Sequence, residues 1–456
     1  MKKRLTGFLT DKEKYLYPSQ RVMQGGTFFL LLGLFVGQYL LFGLMHAFDT
    51  PKYEIFAADV YPLYPAFMWV FRSLFGTETG YFLLGIFQNI LLACSFYALI
   101  DFLRRTYRLD AVSVVLMALL SVALFVAQKF FTLRGIISSN VLFSEALAIP
   151  FYLFYFRYLL EASMNKSLLA FLLSGCSALC LILTRGQLYW VLVPFALTGL
   201  GLIPAKRLKS ALIVLLSCAV IVGTVSGSRH LQTLSVSDKQ TKSPLGMYLL
   251  TTAVYCSDRD DAALFAEGSG ERQLMETVRP LMDDPARRAA FSYEEGTLAD
   301  RFGNFETHYD PLKEDIWSTY AKLAAAGTCV SLRTLLITLI AHNLPAYLLH
   351  CGQNALVGLI RTVAILRPGI DICACLFFVF LIFSYLFLRR KGLLSAEIHF
   401  VWIALLCTLL NALIMAPGVF ALSRYVFYNM PVLYFCAFIL LRAMILEWEK
   451  HTGCDS

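Results

Sequence analysis

Long apolar runs alternate with short polar connections along this chain, and the runs have the length of membrane-crossing helices. A helix that crosses a bilayer needs about 20 mostly apolar residues. Runs that meet this template lie at 27–47, 80–101, 110–129, 142–161, 167–184, 186–203, 209–227, 370–388, 397–415 and 421–445. The pattern predicts an all-α, polytopic transmembrane helix bundle of about ten spans.

Two stretches interrupt this alternation. Residues 228–330 are rich in charge, and apolar positions recur at helical intervals within 271–282 and 310–326, which predicts a small, mainly helical domain. Residues 331–366 are apolar but broken by polar side chains, which favours interfacial or re-entrant helices. If this stretch crosses the membrane instead, the number of spans rises to eleven or twelve. The predicted order is a membrane module of about seven spans at 1–227, the polar domain at 228–330, interfacial or re-entrant helices at 331–366, and a membrane module of about three spans at 367–456.

The basic residues predict the orientation of the bundle. They cluster in the N-terminal segment and in three later connections, namely Arg104-Arg105, Lys206-Arg207-Lys209 and Arg389-Arg390-Lys391. Cytoplasmic loops of membrane proteins carry an excess of Lys and Arg. With ten spans, all four clusters fall on one side. Both termini are therefore expected in the cytoplasm of a multi-pass cell-membrane protein, with the polar domain outside.

Composition supports the membrane assignment and excludes two other classes. The chain is 58% hydrophobic and 15% charged, with a mean hydropathy of +0.65, whereas soluble domains carry about 25% charged residues. A net charge of +8 could suggest nucleic acid as a partner, but the basic residues lie in short clusters between apolar runs and form no single basic face. The bilayer is the predicted partner, and nucleic acid is not.

Most of the 12 cysteines fall inside apolar runs, where they act as small hydrophobic residues. Cys256, Cys329 and Cys351 lie outside the predicted spans and are the candidates for an extracytoplasmic disulfide. The sequence leaves their pairing open.

Ionisable residues at the ends of the predicted spans are the candidates for function. Asp49, Glu145, Arg185 and Arg424 all fall on the predicted outer side, and the neighbouring outer loops add Tyr53, Glu54, Asp59 and Arg134. Any one of them can be explained by snorkelling or helix capping. Together, arginines that bind phosphate oxygens and carboxylates that accept a proton suit chemistry on a phosphate-bearing lipid.

Short motifs add a family resemblance. The first outer loop, predicted at 48–79, holds Phe48-Asp49-Thr50-Pro51-Lys52-Tyr53-Glu54 and then Tyr61-Pro62-Leu63-Tyr64-Pro65. Later spans hold Ser144-Glu145-Ala146-Leu147, Leu183-Thr184-Arg185 and Ser423-Arg424-Tyr425. In order and spacing these motifs resemble the GT-C superfamily of membrane glycosyltransferases, including protein O-mannosyltransferases and the aminoarabinose transferases of lipid A.

The resemblance implies an enzyme that moves a sugar from a polyprenyl-phosphate donor to an extracytoplasmic acceptor. It implies Asp49 as the catalytic general base. The residues implied to bind substrate are Tyr53, Arg134, Glu145, Arg185, Arg424 and Tyr425.

The family's acidic pair is incomplete here, because Thr50 replaces its second acid. Either no metal is needed, or Glu54 or Asp59 supplies the missing carboxylate for a divalent metal ion. The sequence has no clustered His/Cys spacing for zinc and no other cofactor signature.

Two alternative functions stay open. An O-antigen-type ligase or polymerase would use a lipid-linked oligosaccharide and shares external arginines and a large outer loop. A transporter or flippase for a lipid-linked sugar is disfavoured because the halves show no matching broken helices.

Overall fold

The computed structural model describes residues 20–46, 50–57, 60–131, 135–202, 207–235, 244–284, 305–363, 371–392, 396–419 and 423–452. Within these ranges the chain is mainly helical, and the only extended pairing is one isolated parallel bridge between Met45 and Val141. The predicted all-α class is confirmed for this part of the chain.

The first half of the chain forms helices α1 to α9. Their bounds are α1 Gln20–Phe42, α2 Thr50–Glu54, α3 Leu63–Phe75, α4 Thr77–Tyr107, α5 Ala111–Phe131, α6 Glu145–Asn165, α7 Leu168–Thr184, α8 Leu192–Leu200 and α9 Arg207–Ser235. A 3₁₀ turn, Gly186–Val191, joins α7 to α8.

The second half forms helices α10 to α18. Their bounds are α10 Pro244–Tyr255, α11 Gly270–Val278, α12 Phe305–Ala325, α13 Leu332–His342, α14 Leu344–Val363, α15 Asp371–Arg390, α16 Ala396–Met415, α17 Ser423–Val426 and α18 Met430–Thr452. The described residues of the charged insertion are thus mainly helical, and α11 and α12 match the two helical patterns predicted there.

Six helices among the described residues are long and apolar enough to cross a membrane. They are Arg21–Phe42, Thr77–Tyr107, Ala111–Phe130, Leu208–Gln232, Cys373–Arg390 and Phe427–Glu447. Three shorter apolar helices, Leu168–Thr184, Gly186–Leu200 and His399–Met415, coincide with other predicted spans. The chain is a membrane protein, and the total of ten spans stays a prediction.

Apolar side chains on the outside of these helices explain why lipid must surround them. On α9, Leu212, Leu215 and Val220 are 55%, 66% and 63% exposed. On α15, Leu376 and Val379 are 62% and 61% exposed. A soluble protein rarely exposes apolar surface so continuously, whereas hydrocarbon chains cover it without cost.

Helices α13 and α14 bend by 90° at Asn343. The bend occupies the stretch predicted as interfacial or re-entrant, and such a pair is either one broken span or a re-entrant loop. Both interpretations of 331–366 therefore stay open.

The chain divides into two compact units. The first comprises 1–239, 378–407 and 428–456, and the second comprises 240–377 and 408–427. The second unit thus joins most of the charged insertion to the bent helix pair and to two short stretches of the predicted C-terminal membrane module, 367–377 and 408–427.

Candidate functional site

Helices α6 and α7 form an antiparallel hairpin that brings together two of the predicted site residues. Lys166 turns the chain in the left-handed region (φ 53°), and the Ser167 hydroxyl accepts a hydrogen bond from the backbone N–H of Ala170 to start α7. Because the two helices have similar lengths, the start of α6 lies beside the end of α7. Glu145 opens α6 and Arg185 directly follows α7, so their side chains meet at this end of the hairpin.

Glu145 and Arg185 form a buried ion pair between Oε1 and Nη1. Their side chains are only 4% and 11% exposed. The Nη2 of Arg185 donates to Gln187 Oε1 at 3.1 Å, and the guanidinium carbon lies 5.8 Å from the centre of the Phe143 ring. Glu145 also lies in the first turn of α6, where the helix dipole favours a negative charge.

Tyr53, on the short helix α2, reaches the same place. The Tyr53 hydroxyl lies 3.0 Å from Ser144 Oγ. The Ser144 hydroxyl in turn donates to Glu145 Oε2 at 3.3 Å. The Tyr53 ring packs edge-on against the rings of Tyr64 and Phe143. Tyr53, Ser144, Glu145 and Arg185 form what we call the α6 N-terminal site.

A non-helical segment, residues 135–144, leads into α6 and is held by an amide network. The Nε2 of Gln38 donates to Asn89 Oδ1 at 2.8 Å and to Asn140 Oδ1 at 2.7 Å, and the Nδ2 of Asn89 donates to the Ser139 carbonyl at 3.1 Å. Met45 exchanges backbone hydrogen bonds with this segment. The predicted span 142–161 therefore begins as non-helical chain, and its helix starts only at Glu145.

Arg229, near the end of α9, lies at the loop between α2 and α3 and was not among the predicted site residues. Its Nη1 donates to the Val60 carbonyl at 2.6 Å, and its guanidinium lies 4.7 Å from the centre of the Tyr61 ring. The Nε2 of Gln232 donates to the same carbonyl at 3.0 Å. Burial raises the pKa of Tyr61, and the positive charge of Arg229 partly opposes this.

Tyr61 links Arg229 to the α6 N-terminal site. A Cβ added at Gly186 would lie 1.9 Å from the Tyr61 hydroxyl, so glycine is required at this position for the two segments to approach. Gly186 directly follows Arg185. The Tyr61 ring therefore lies against Arg229 on one side and against the residue that follows Arg185 on the other. In the sequence, the signal for Arg229 was its position as an ionisable residue two positions beyond the predicted span 209–227.

Glu54, a candidate for the missing second acid, accepts a hydrogen bond from the Tyr81 hydroxyl at 2.8 Å. The other candidate, Asp59, lies outside the described residues, as do the predicted base Asp49 and Arg134. Among the residues that the structure describes, no three His, Cys, Asp or Glu side chains are grouped to hold a metal ion. The roles predicted for these residues stay predictions.

Tyr425 lies in the second compact unit. Its backbone carbonyl accepts a hydrogen bond from Asn411 Nδ2 at 3.0 Å, and its side chain packs against the cluster of Phe305 and Tyr309. Arg424 belongs to α17, and its side chain is outside the described part of the structure. The predicted contact of these two residues with substrate remains untested.

The second unit also holds a buried ion pair that sequence reasoning missed. Arg361 and Glu306 pair with side chains 3% and 8% exposed. Their distance in the sequence hides the pairing, because α12 lies in the charged insertion and α14 in the bent pair. Removing one member of a buried pair of this kind strongly destabilises the fold, so the pair holds α12 and α14 together.

Comparison with known proteins adds no relative to this description. No family model, no curated protein and no solved structure matches the chain. The functional interpretation therefore depends on the short motifs and on the geometry of the α6 N-terminal site.

Proposed function

We propose that this chain is a membrane glycosyltransferase that moves a sugar from a polyprenyl-phosphate-linked donor to an extracytoplasmic acceptor. The observation that carries the proposal is the buried Glu145–Arg185 pair with Tyr53 beside it, at the ends of apolar helices. Ionisable residues at membrane depth are rare and mark function by default.

The chemistry of the proposed step fits the residue types. The acceptor hydroxyl attacks the anomeric carbon of the sugar, the bond from that carbon to the phosphate oxygen breaks, and Asp49 takes the hydroxyl proton. Negative charge then develops on the leaving lipid phosphate. A guanidinium stabilises that charge through parallel N–H donors.

Arg185 is the proposed phosphate contact, oriented by Glu145. A guanidinium has five N–H donors, and the contacts of Arg185 to Glu145 and Gln187 engage its two terminal nitrogens. A phosphate oxygen can replace the neutral amide of Gln187, because hydrogen bonds between charged groups are the stronger ones.

Binding of the lipid carrier tests this without knowledge of the sugar. Purified protein in nanodiscs is titrated with polyprenyl phosphate, and binding is followed by native mass spectrometry. Losing a hydrogen bond to a charged group costs about 1.5–3 kcal/mol, so Arg185→Gln should weaken binding by about tenfold to a hundredfold. The matched control is Arg157→Gln, which removes an arginine from an ion pair at the other end of α6. Equal binding by the Arg185 and Arg157 variants would contradict the proposed contact.

Transfer assays in vesicles separate the competing functions. Donors with one sugar are compared with donors that carry a preassembled oligosaccharide, and Asp49→Ala is tested beside wild type. Loss of mono-sugar transfer in the Asp49 variant, with insertion into the membrane intact, supports the proposal. Transfer of only the oligosaccharide indicates a ligase, and passage of the lipid-linked sugar without any transfer indicates a flippase.

A further inference from the structure

Two of the three cysteines whose pairing the sequence leaves open pack against the same apolar cluster in the second compact unit. Cys256 directly follows α10, and Cys351 lies in α14. Both pack against one buried apolar cluster that includes Leu250 and Leu335. Cys329, the third candidate, is exposed after α12 and is not part of that cluster.

The neighbours of the two cysteines fix their proximity. The ring centres of Tyr255 and His350, each one residue before a cysteine, lie 5.2 Å apart. Downstream of Cys256, the side chain of Asp261 accepts a hydrogen bond from Asn343 Nδ2 at 2.6 Å, which holds the 3₁₀ turn Arg259–Leu264 against the bend of α13 and α14. The end of α10 thus contacts α14, and the 3₁₀ turn that follows contacts the bend before α14.

Electrostatics agrees with this placement. Burial, and then the charge of the neighbouring Cys351 thiolate, raise the pKa of the Cys256 thiol to about 12. Each thiol is therefore within electrostatic range of the other. No other cysteine contributes to the pKa of Cys256.

We propose that Cys256 and Cys351 are the partners of an oxidation site and form an intramolecular disulfide. A low-molecular-weight or protein disulfide supplies the oxidising equivalents. One cysteine thiolate attacks that disulfide and releases the first thiol, and the other then attacks the mixed disulfide and releases the second. Two cysteine thiols are oxidised, and one external disulfide is reduced to two thiols.

The bond closes a loop that runs from 256 to 351 and contains the described insertion helices α11 and α12. Cross-linking a long loop restricts the unfolded chain and so favours the folded one. The thiolate is the attacking species, and burial raises the pKa of the Cys256 thiol in the folded protein. The bond therefore forms slowly in the folded protein and faster before the insertion has folded. Its formation needs only an oxidising disulfide and does not depend on glycosyl transfer.

Peptide mapping tests the pairing directly. Full-length protein is oxidised with glutathione disulfide at mildly alkaline pH, its remaining thiols are alkylated, and it is digested with trypsin without reduction. Cleavage at the Lys and Arg residues places Cys256 in peptide 243–259, Cys351 in 334–361 and Cys329 in 323–333. The proposal predicts a mass joining 243–259 to 334–361 that disappears on reduction.

Serine variants complete the test. Cys256→Ser and Cys351→Ser should each remove the joined mass, and the matched control Cys329→Ser should leave it. The oxidised wild type should unfold at a higher temperature than the reduced form, and this difference should vanish in Cys256→Ser. Two results would overturn the proposal. One is a joined mass that contains peptide 323–333. The other is the absence of a mass joining 243–259 to 334–361 in wild-type protein that is oxidised during refolding.

Discussion

Removing the carboxylate of Glu145 should destabilise the protein strongly, because it takes a buried counter-charge away from the buried guanidinium of Arg185. Glu145→Gln keeps the shape of the side chain and removes only the charge. With the two side chains 4% and 11% exposed, water cannot replace the lost partner. Breaking a buried pair by removing one member costs about 3–5 kcal/mol.

The same helix offers a control pair of ordinary kind. Glu161 pairs with Arg157 one turn away at 2.7 Å, and their side chains are 26% and 21% exposed. Pairs between residues i and i+4 on one helix contribute about 0.3–0.5 kcal/mol, and water reaches this half-buried pair more easily than the one at Glu145. Glu161→Gln should therefore change the free energy of unfolding by roughly a tenth as much as Glu145→Gln.

A double-mutant cycle measures the coupling itself. Unfolding by a denaturing detergent in mixed micelles is followed by circular dichroism for Glu145→Gln, Arg185→Gln and the double variant. The double variant removes both charges of the pair. Its loss in free energy of unfolding should therefore be smaller than the sum of the two single losses by about 2–3 kcal/mol. Additive effects, or a Glu145 effect no larger than that of Glu161, would refute a tightly coupled buried pair.

Three further predictions concern other features of the two units. Gly186→Ala should destabilise by about 1–3 kcal/mol, because its Cβ would overlap the Tyr61 ring. Tyr61→Ala should relieve that overlap in detergent unfolding, and a fully stable Gly186→Ala would contradict the close approach. Asn89→Leu should lower the free energy of unfolding by about 1–3 kcal/mol, because Gln38 loses a buried acceptor. An unchanged unfolding midpoint would show that the network contributes little. Cys256, with its pKa raised to about 12 from 9.0, has less thiolate at any pH below 9. It should therefore react with iodoacetamide about a thousandfold more slowly than a thiol of ordinary pKa and tenfold faster per unit rise in pH; labelling as fast as that of a free thiol would contradict its burial.

The placement of Glu145 and Arg185 at the same end of their hairpin could be predicted from the sequence. Two apolar runs of similar length, joined by a short polar connection, form an antiparallel hairpin, so the residue that opens the first run lies near the one that closes the second. Hydropathy alone therefore places both at one membrane face. What it could not supply was the direct pairing, which depends on rotamers and on the exact start of α6.

Residues that hold the site escaped sequence reasoning for a different reason. Gln38 stands alone within an apolar run, and Asn89 has only the adjacent Gln88 as a polar neighbour in its run, so both amides look like tolerated exceptions. Arg229 lies beyond the predicted end of its span, because the hydropathy falls before α9 stops. The roles of these residues depend on contacts with residues far away in the sequence, and a single sequence does not reveal those contacts.

The amide network explains how non-helical chain reaches the interior of an apolar bundle. Every backbone polar group away from water needs a partner within the protein, so non-helical chain at membrane depth requires donors and acceptors from its neighbours. Asn89 donates to the backbone carbonyl of Ser139, and Met45 exchanges backbone hydrogen bonds with Asn140 and Leu142. Gln38 holds the Asn140 side chain in the same network. With those groups satisfied, α6 can begin in the interior instead of at the surface. Its first residue is then a buried carboxylate, which pairs with Arg185 and gives the bundle a charged site that apolar helices alone cannot form.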